Sequence, residues 1–202
     1  MFTGIITELG TIDSLEMDVG LSRIAISGPT TCRGLAKGDS VAVNGVCLTV
    51  VGTDGPIFHV EAVAETMDRT SLGSLQVGGR VNLERPMSAS GRFDGHIVQG
   101  HVDGVGTIVD LAQDGSSVRV RVVVPAALAR YVVEKGSVCV DGVSLTITAV
   151  SSLDTDPAWF EFVVIPHTLD VTVLGTKDVG DSVNLELDVI AKYVERLVGG
   201  VQ

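Results

Sequence analysis

Residues 40–50, SVAVNGVCLTV, return as SVCVDGVSLTI at 137–147 with seven of eleven positions identical, so the chain says nearly the same thing twice at an offset of 97. Two further blocks obey the rule. MFTGIITELGTI at 1–12 aligns with IVQGHVDGVGTI at 97–108, and ETMDRTSLGSLQVGGRVNLE at 65–84 aligns with HTLDVTVLGTKDVGDSVNLE at 167–186, the latter with eleven of twenty identical. The offset drifts from 96 to 97 to 102, as a few extra loop residues near Asp154 to Trp159 would produce. Solenoids and propeller blades repeat at roughly 20 to 50 residues, too short for this period, which is the size of a small domain. Two duplicated domains imply two similar pockets related by approximate twofold symmetry, able to hold two copies of one ligand.

With 45% hydrophobic and 19% charged residues, each half can bury a core, and the composition argues against disorder. The net charge of −11 and the absence of a Lys/Arg cluster argue against a nucleic-acid partner, whose phosphates would be repelled. Apolar runs are only a few residues long, so no membrane span is expected. The N-terminus opens on the repeat itself rather than on a basic stretch followed by an apolar core, which predicts no secretory leader and a cytoplasmic protein. Cys32, Cys47 and Cys139 are odd in number and lack metal-like spacing, in keeping with a reducing compartment.

Abundant valine, 24 glycines and short alternating runs predict strands over Gly4 to Ile12, Ser22 to Ser27, Ser40 to Val51, Phe58 to Ala62 and Arg80 to Arg85, with counterparts in the second half. Asn44-Gly45 and Asp141-Gly142 sit between alternating runs, the signature of a type I′ hairpin whose two central residues need positive φ. The fold class is therefore all-β with short helices, two tandem six-stranded or so closed barrels. One short helix per half is expected over Glu65 to Leu75 and His167 to Thr176. In the tail, Val189, Ile190, Tyr193, Val194, Leu197 and Val198 share a helical face opposite Lys192, Glu195 and Arg196, with Gly199-Gly200 as the stop. That apolar stripe must dock, either on its own barrel or on another subunit.

Strand periodicity turns Cys47 and Thr49 to the face opposite Val46 and Leu48, and Ser144 and Thr146 opposite Val143 and Leu145. Each half then offers a small polar pair, and the thiol in one against the hydroxyl in the other makes the pockets chemically unequal. A strand Ser or Thr is commonly a satisfied surface hydroxyl, and duplication copies structural residues too. His101 replaces the Ile5 of the first half and is the natural proton mover, since histidine titrates near neutral pH; a partly exposed strand-end residue is the plainer reading. His96 and His101 are five apart, a spacing that puts no two rings on one metal, so no metal site is expected. His59 and His167 read as structural or surface residues, and Lys135 as a solvated lysine unless it borders a pocket. No GxSxG, Walker A or GxGxxG context occurs, and nothing requires a cofactor.

At MFTGI, NGVCLTV, ETMDRTSLG, GRFDGHIVQGHVDG and DGVSLTI, in this order and spacing, the chain resembles the riboflavin synthases of the lumazine-binding family from end to end. The resemblance implies two six-stranded Greek-key barrels, spanning 1–96 and 97–188, and a trimerisation helix in 189–202, assembled as a homotrimer. It implies a transferase that passes a four-carbon unit between two molecules of 6,7-dimethyl-8-ribityllumazine, giving riboflavin and 5-amino-6-ribitylaminouracil, the last step of riboflavin biosynthesis. Lumazine synthase is a further implied partner. In the first pocket the resemblance places Gly4, Ile5, Ile6, Cys47, Leu48, Thr49, Ala62, Val63, Ala64, Glu65, Thr66 and Met67, with Phe2 covering the ring. In the second it places Gly100, His101, Val102, Lys135, Ser144, Leu145, Thr146, Val164, Ile165, Pro166, His167, Thr168 and Leu169. It implies catalytic roles for His101, Cys47, Ser144 and Thr146: His101 to take a proton from the 7-methyl group of one lumazine, and water, Cys47 or Ser144 to add to the other. Which pocket donates stays open. Two rival readings share the pattern: a non-catalytic lumazine antenna protein, and a flavin-binding barrel of an oxidoreductase, which the absence of a nicotinamide-binding domain disfavours.

Overall fold

The computed structural model describes residues 1–18 and 20–198. The first half forms β1 (Glu8–Asp18), β2 (Leu21–Ser27), β3 (Ser40–Val43), β4 (Val46–Asp54), β5 (Ile57–Val63), α1 (Ala64–Arg69) and β6 (Arg80–Glu84). The second forms β7 (Gly104–Asp114), β8 (Ser117–Val123), α2 (Ala126–Ala129), β9 (Ser137–Val140), β10 (Val143–Val150), β11 (Trp159–Val164), α3 (Pro166–Val171) and β12 (Ser182–Leu187), followed by α4 (Val189–Val198). The Gly199-Gly200 stop lies outside the described residues. Each half closes into an antiparallel barrel with the same cyclic order, β1-β2-β5-β4-β3-β6 and β7-β8-β11-β10-β9-β12. Closure removes unpaired edges, and it needs local curvature. Bulges supply the bend at Ile12/Ser14 and Val50/Gly52, and again at the equivalent Ile108/Asp110 and Ile147/Ala149.

Inward-facing residues fill each barrel: Ile24, Ile26, Phe58, Val60 and Leu83 in the first, Val122, Val140, Phe160, Phe162 and Leu185 in the second, none more than 1% exposed. The hairpins are as expected, with φ of 45° and 76° at Asn44-Gly45 and 45° and 84° at Asp141-Gly142. The extra residues of the second half fall between β10 and β11, where eight residues replace the two that join β4 to β5.

Three expectations change. Gly4 to Thr7 are not part of β1, which begins at Glu8, because that segment leaves its own barrel to reach the other. The helix expected over Glu65 to Leu75 is two pieces, α1 and a 3-10 turn at Ser71–Ser74. Thr70 breaks it with an extended backbone; its Oγ1 donates to the Thr66 carbonyl at 2.6 Å and accepts the Leu72 N–H at 3.3 Å. Thr172 does the same between α3 and Val173–Thr176. Such side-chain to backbone bonds compete with helix continuation, which composition alone does not reveal.

The tail helix docks by its polar side. Lys192 Nζ reaches both Asp103 carboxylate oxygens at 2.8 and 2.7 Å, Arg130 pairs with Glu195 at 2.7 Å, and the Tyr131 hydroxyl donates to Glu195. The apolar stripe of Ile190, Tyr193, Val194 and Leu197 stays 53–74% exposed, beside a groove of about 610 Å³ against the second barrel. Among the described residues no helix is long and apolar enough to cross a membrane.

Candidate active site

The two hairpins meet back to back on the approximate twofold axis: a Cβ on Gly45 would lie 2.7 Å from the Gly142 nitrogen. Around this contact two buried asparagines cross between barrels. Asn82 donates through Nδ2 to the Asp141 carbonyl and accepts the Val173 N–H, both at 2.8 Å. Its twin Asn184 donates to the Asn44 carbonyl at 2.8 Å and accepts the Ser71 N–H at 2.6 Å.

Outside this dock, each half sends a segment over the strand after the other's hairpin. The Ser144 N–H donates to the Gly4 carbonyl at 2.8 Å, and the Cys47 N–H donates to the Gly100 carbonyl at 2.9 Å. Both glycines have φ of +78°, and a Cβ on them would lie 2.6 Å from Ser144 Cβ and 2.5 Å from Cys47 Cβ. Positive φ and contact with another backbone both require glycine here. A buried carboxylate anchors each segment. Glu84 accepts the Thr3 N–H, the Thr3 hydroxyl and the Gly4 N–H at 2.7, 2.8 and 3.0 Å. Glu186 accepts the N–H groups of Gln99, Gly100 and His101 at 2.7, 2.9 and 3.0 Å. Burial pushes both carboxyls above their ordinary range against these hydrogen bonds, which pull them down.

The segments are therefore exchanged relative to the grouping expected from the resemblance. Gly100, His101 and Val102 join Cys47, Glu65 and Thr66 around one cleft of about 290 Å³ that also borders Val46, Val63, Arg69 and Thr70. Val102 packs on the first barrel's core, and Ile6 on the second's. Ile5 is 43% exposed, and Gly4 lies on Ser144. Sequence alignment matches each segment to its own half; only the packing reveals which barrel receives it.

The remaining candidates divide by burial. Leu48, Ala62, Met67 and Val164 are buried, whereas Thr49, Val63, Ala64, Glu65, Thr146, Ile165, Pro166 and His167 are exposed, and Thr66, Leu145, Thr168 and Leu169 lie between. Phe2 is wholly buried in a small cluster with Ala42, Val98 and Cys139, packed against Cys47, and so lies in the protein interior. Lys135 holds φ of 63° where the first half has Gly38 at 95°, and both donate their N–H to the far strand, to Ile147 and Val50. Its side chain is exposed.

Sequence reasoning missed Glu84 and Glu186, although the repeated VNLE was a signal: a carboxylate repeated beside an inward-facing leucine points out of its own barrel, and when buried there it needs donors. It also missed His96, which it weighed only as a metal ligand and set aside. His96 Nδ1 lies 2.6 Å from Ser144 Oγ, and burial holds the ring below its ordinary pKa of 6.5, with Asp188 pulling the other way.

Residues 3–86 and 99–188 each match the family described as Lumazine binding domain. Riboflavin synthase of Mycobacterium tuberculosis is 50% identical over 200 residues, 98% of either chain. Riboflavin synthase of Bacillus subtilis is 41% identical over 198 residues, covering 98% of this chain and 90% of that one. Among solved structures, LumP complexed with riboflavin superposes with a TM-score of 0.84 at 26% identity, over 93% of this chain and 99% of that one. LumP complexed with 6,7-dimethyl-8-(1'-D-ribityl) lumazine gives 0.82 at 25% identity, with the same coverage.

Proposed function

The chain belongs to the lumazine-binding domain family, and we infer from that membership that it is a riboflavin synthase, an enzyme of the transferase class. The reaction is a dismutation: one molecule of 6,7-dimethyl-8-ribityllumazine gives up a four-carbon unit to a second, so that the acceptor becomes riboflavin and the donor 5-amino-6-ribitylaminouracil. One observation carries the reading into this chain's own geometry. Cys47 and Ser144 sit at equivalent strand positions, and each is capped by the glycine of the opposite half. Two like substrates call for two like clefts, and holding both in register is itself a large effect, since effective molarities reach roughly 10⁵ to 10⁸ M in favourable cases.

In this reading one lumazine lies in the cleft of Cys47, Thr66 and His101, where His101 takes a proton from the 7-methyl group. The other lies over Ser144 and Thr146, with Lys135 at its border. The homotrimer belongs to the same proposal and is supported by the exposed apolar stripe of α4, which a neighbouring copy would cover. So do the division into 1–96, 97–188 and a terminal helix, supported by the separate closure of β1–β6 and β7–β12, and a cytoplasmic location, supported by three free thiols.

Purified protein given 6,7-dimethyl-8-ribityllumazine alone is expected to yield one riboflavin for every two substrates consumed, read by fluorescence. His101→Gln is expected to lower turnover while lumazine still binds; a full-rate variant removes the proton role. Because the LumP structures share the fold, the alternative outcome is one bound lumazine per chain and no riboflavin formed, which would make the protein a binder.

A further inference from the structure

Ser144 is not an isolated hydroxyl. The His96 ring nitrogen Nδ1 stands 2.6 Å from its Oγ, and three features put the ring there. The His96 N–H donates to the Thr3 carbonyl at 3.2 Å. Thr3 is itself fixed by Glu84 through both its N–H and its hydroxyl. Gly95 leaves room: a Cβ there would run into the Thr3 carbonyl oxygen and sit 3.0 Å from Ser144 Oγ. His96 Nε2 is buried without a hydrogen-bond partner among the described residues, so the ring's polar side-chain contact is with Ser144. Burial disfavours the charged imidazole, with Asp188 pulling the other way. The first barrel is built differently. Cys47 is a free thiol, and among the described residues it has no histidine hydrogen-bonded to it.

A serine hydroxyl left to itself rotates among staggered positions, and each ligand contact must then fix it anew. We propose that His96 is a positioning residue for the riboflavin synthase reaction: it locks the Ser144 hydroxyl so that the second barrel presents a fixed hydrogen-bonding oxygen to its pteridine, while the first presents an unlocked thiol. The inference rests on the reading above and adds a residue outside the predicted constellation. It gives the two clefts a built chemical difference, as two identical substrates with opposite roles require.

Full-length wild type, His96→Ala, His96→Asn, Ser144→Ala and the His96→Ala/Ser144→Ala double variant are compared in steady-state turnover and in lumazine titration by fluorescence. His96→Ala is expected to lower kcat roughly tenfold, the worth of one oriented hydrogen bond, with lumazine affinity kept within about twofold. His96→Asn, whose amide can occupy the place of Nδ1, should recover most of the loss. In the Ser144→Ala background His96→Ala should cost nothing further. Wild-type turnover in His96→Ala overturns the proposal, as does an equal loss with and without Ser144, which would mark a scaffold effect. A wild-type chain that makes no riboflavin removes both this inference and the functional reading, whereas an active wild type with an indifferent His96 removes this inference alone.

Discussion

Replacing Asn184 by Ala should loosen the junction between the barrels while sparing the barrel to which Asn184 belongs. Its side chain, in a residue 1% exposed, satisfies the Ser71 N–H at 2.6 Å and the Asn44 carbonyl at 2.8 Å, both in the other half. Its backbone N–H pairs within its own barrel, with Asp141 Oδ1 at 2.8 Å, and survives the substitution. Ser71 and Asn44 are both buried, so the change strands one donor and one acceptor away from water. Each such orphan costs about 1 to 3 kcal/mol, which puts the whole near 4 kcal/mol. For a chain of this size roughly 2 to 4 °C of Tm is lost per kcal/mol, so a fall on the order of 10 °C is expected. Differential scanning calorimetry should show it, with the wild-type endotherm broadening or splitting as the barrels melt less cooperatively. Asn82→Ala, which strands the Val173 N–H and the Asp141 carbonyl, should behave alike. Variants that both melt within about 1 °C of wild type would refute the crossing asparagines as the dock.

Two further perturbations probe charge. The first half has Asn44 and Leu75 where the second has Asp141 and Lys177, whose ammonium stands 3.4 Å from the wholly buried Asp141 Oδ2. Lys177→Leu leaves that carboxylate uncompensated and should cost about 3 kcal/mol by urea unfolding, and adding Asp141→Asn should restore most of it; a single variant as stable as wild type contradicts the pairing. His96 concerns pH. Because the folded ring sits below its ordinary 6.5, the unfolded chain takes up a proton that the folded chain refuses. Stability from this group is complete above about pH 6.5 and falls as the pH drops through the window beneath it. His96→Asn should flatten that part of the stability–pH curve, and an unchanged slope would show that the ring titrates alike in both states.

The repeat, the alternating runs and the Asn-Gly and Asp-Gly turns made the barrels legible, because strand pattern and turn chemistry are local and survive duplication side by side. The polar faces of Cys47/Thr49 and Ser144/Thr146 were legible for the same reason: alternation along a strand fixes which side chains share a face. The short helices were misjudged where Thr70 and Thr172 turn their hydroxyls back on the chain. The tail was half read. Its apolar stripe was plain, but that it docks through Lys192 and Glu195 depends on Asp103 and Arg130, which no periodicity connects to it.

What the sequence determined by itself is that there are two copies of one barrel, with a thiol in one and a hydroxyl in the other at the same point. What only the tertiary structure decided is the exchange: His101 goes to Cys47's cleft, while Gly4 and His96 go to Ser144. Those contacts join residues 48 to 140 positions apart, held by Glu84, Glu186 and the crossing asparagines. An internal repeat is symmetric under the swap of its halves, so the pattern is the same whether a segment folds onto its own barrel or its twin. The choice is made by hydrogen-bond partners and close glycine contacts that exist only once both barrels have closed and met.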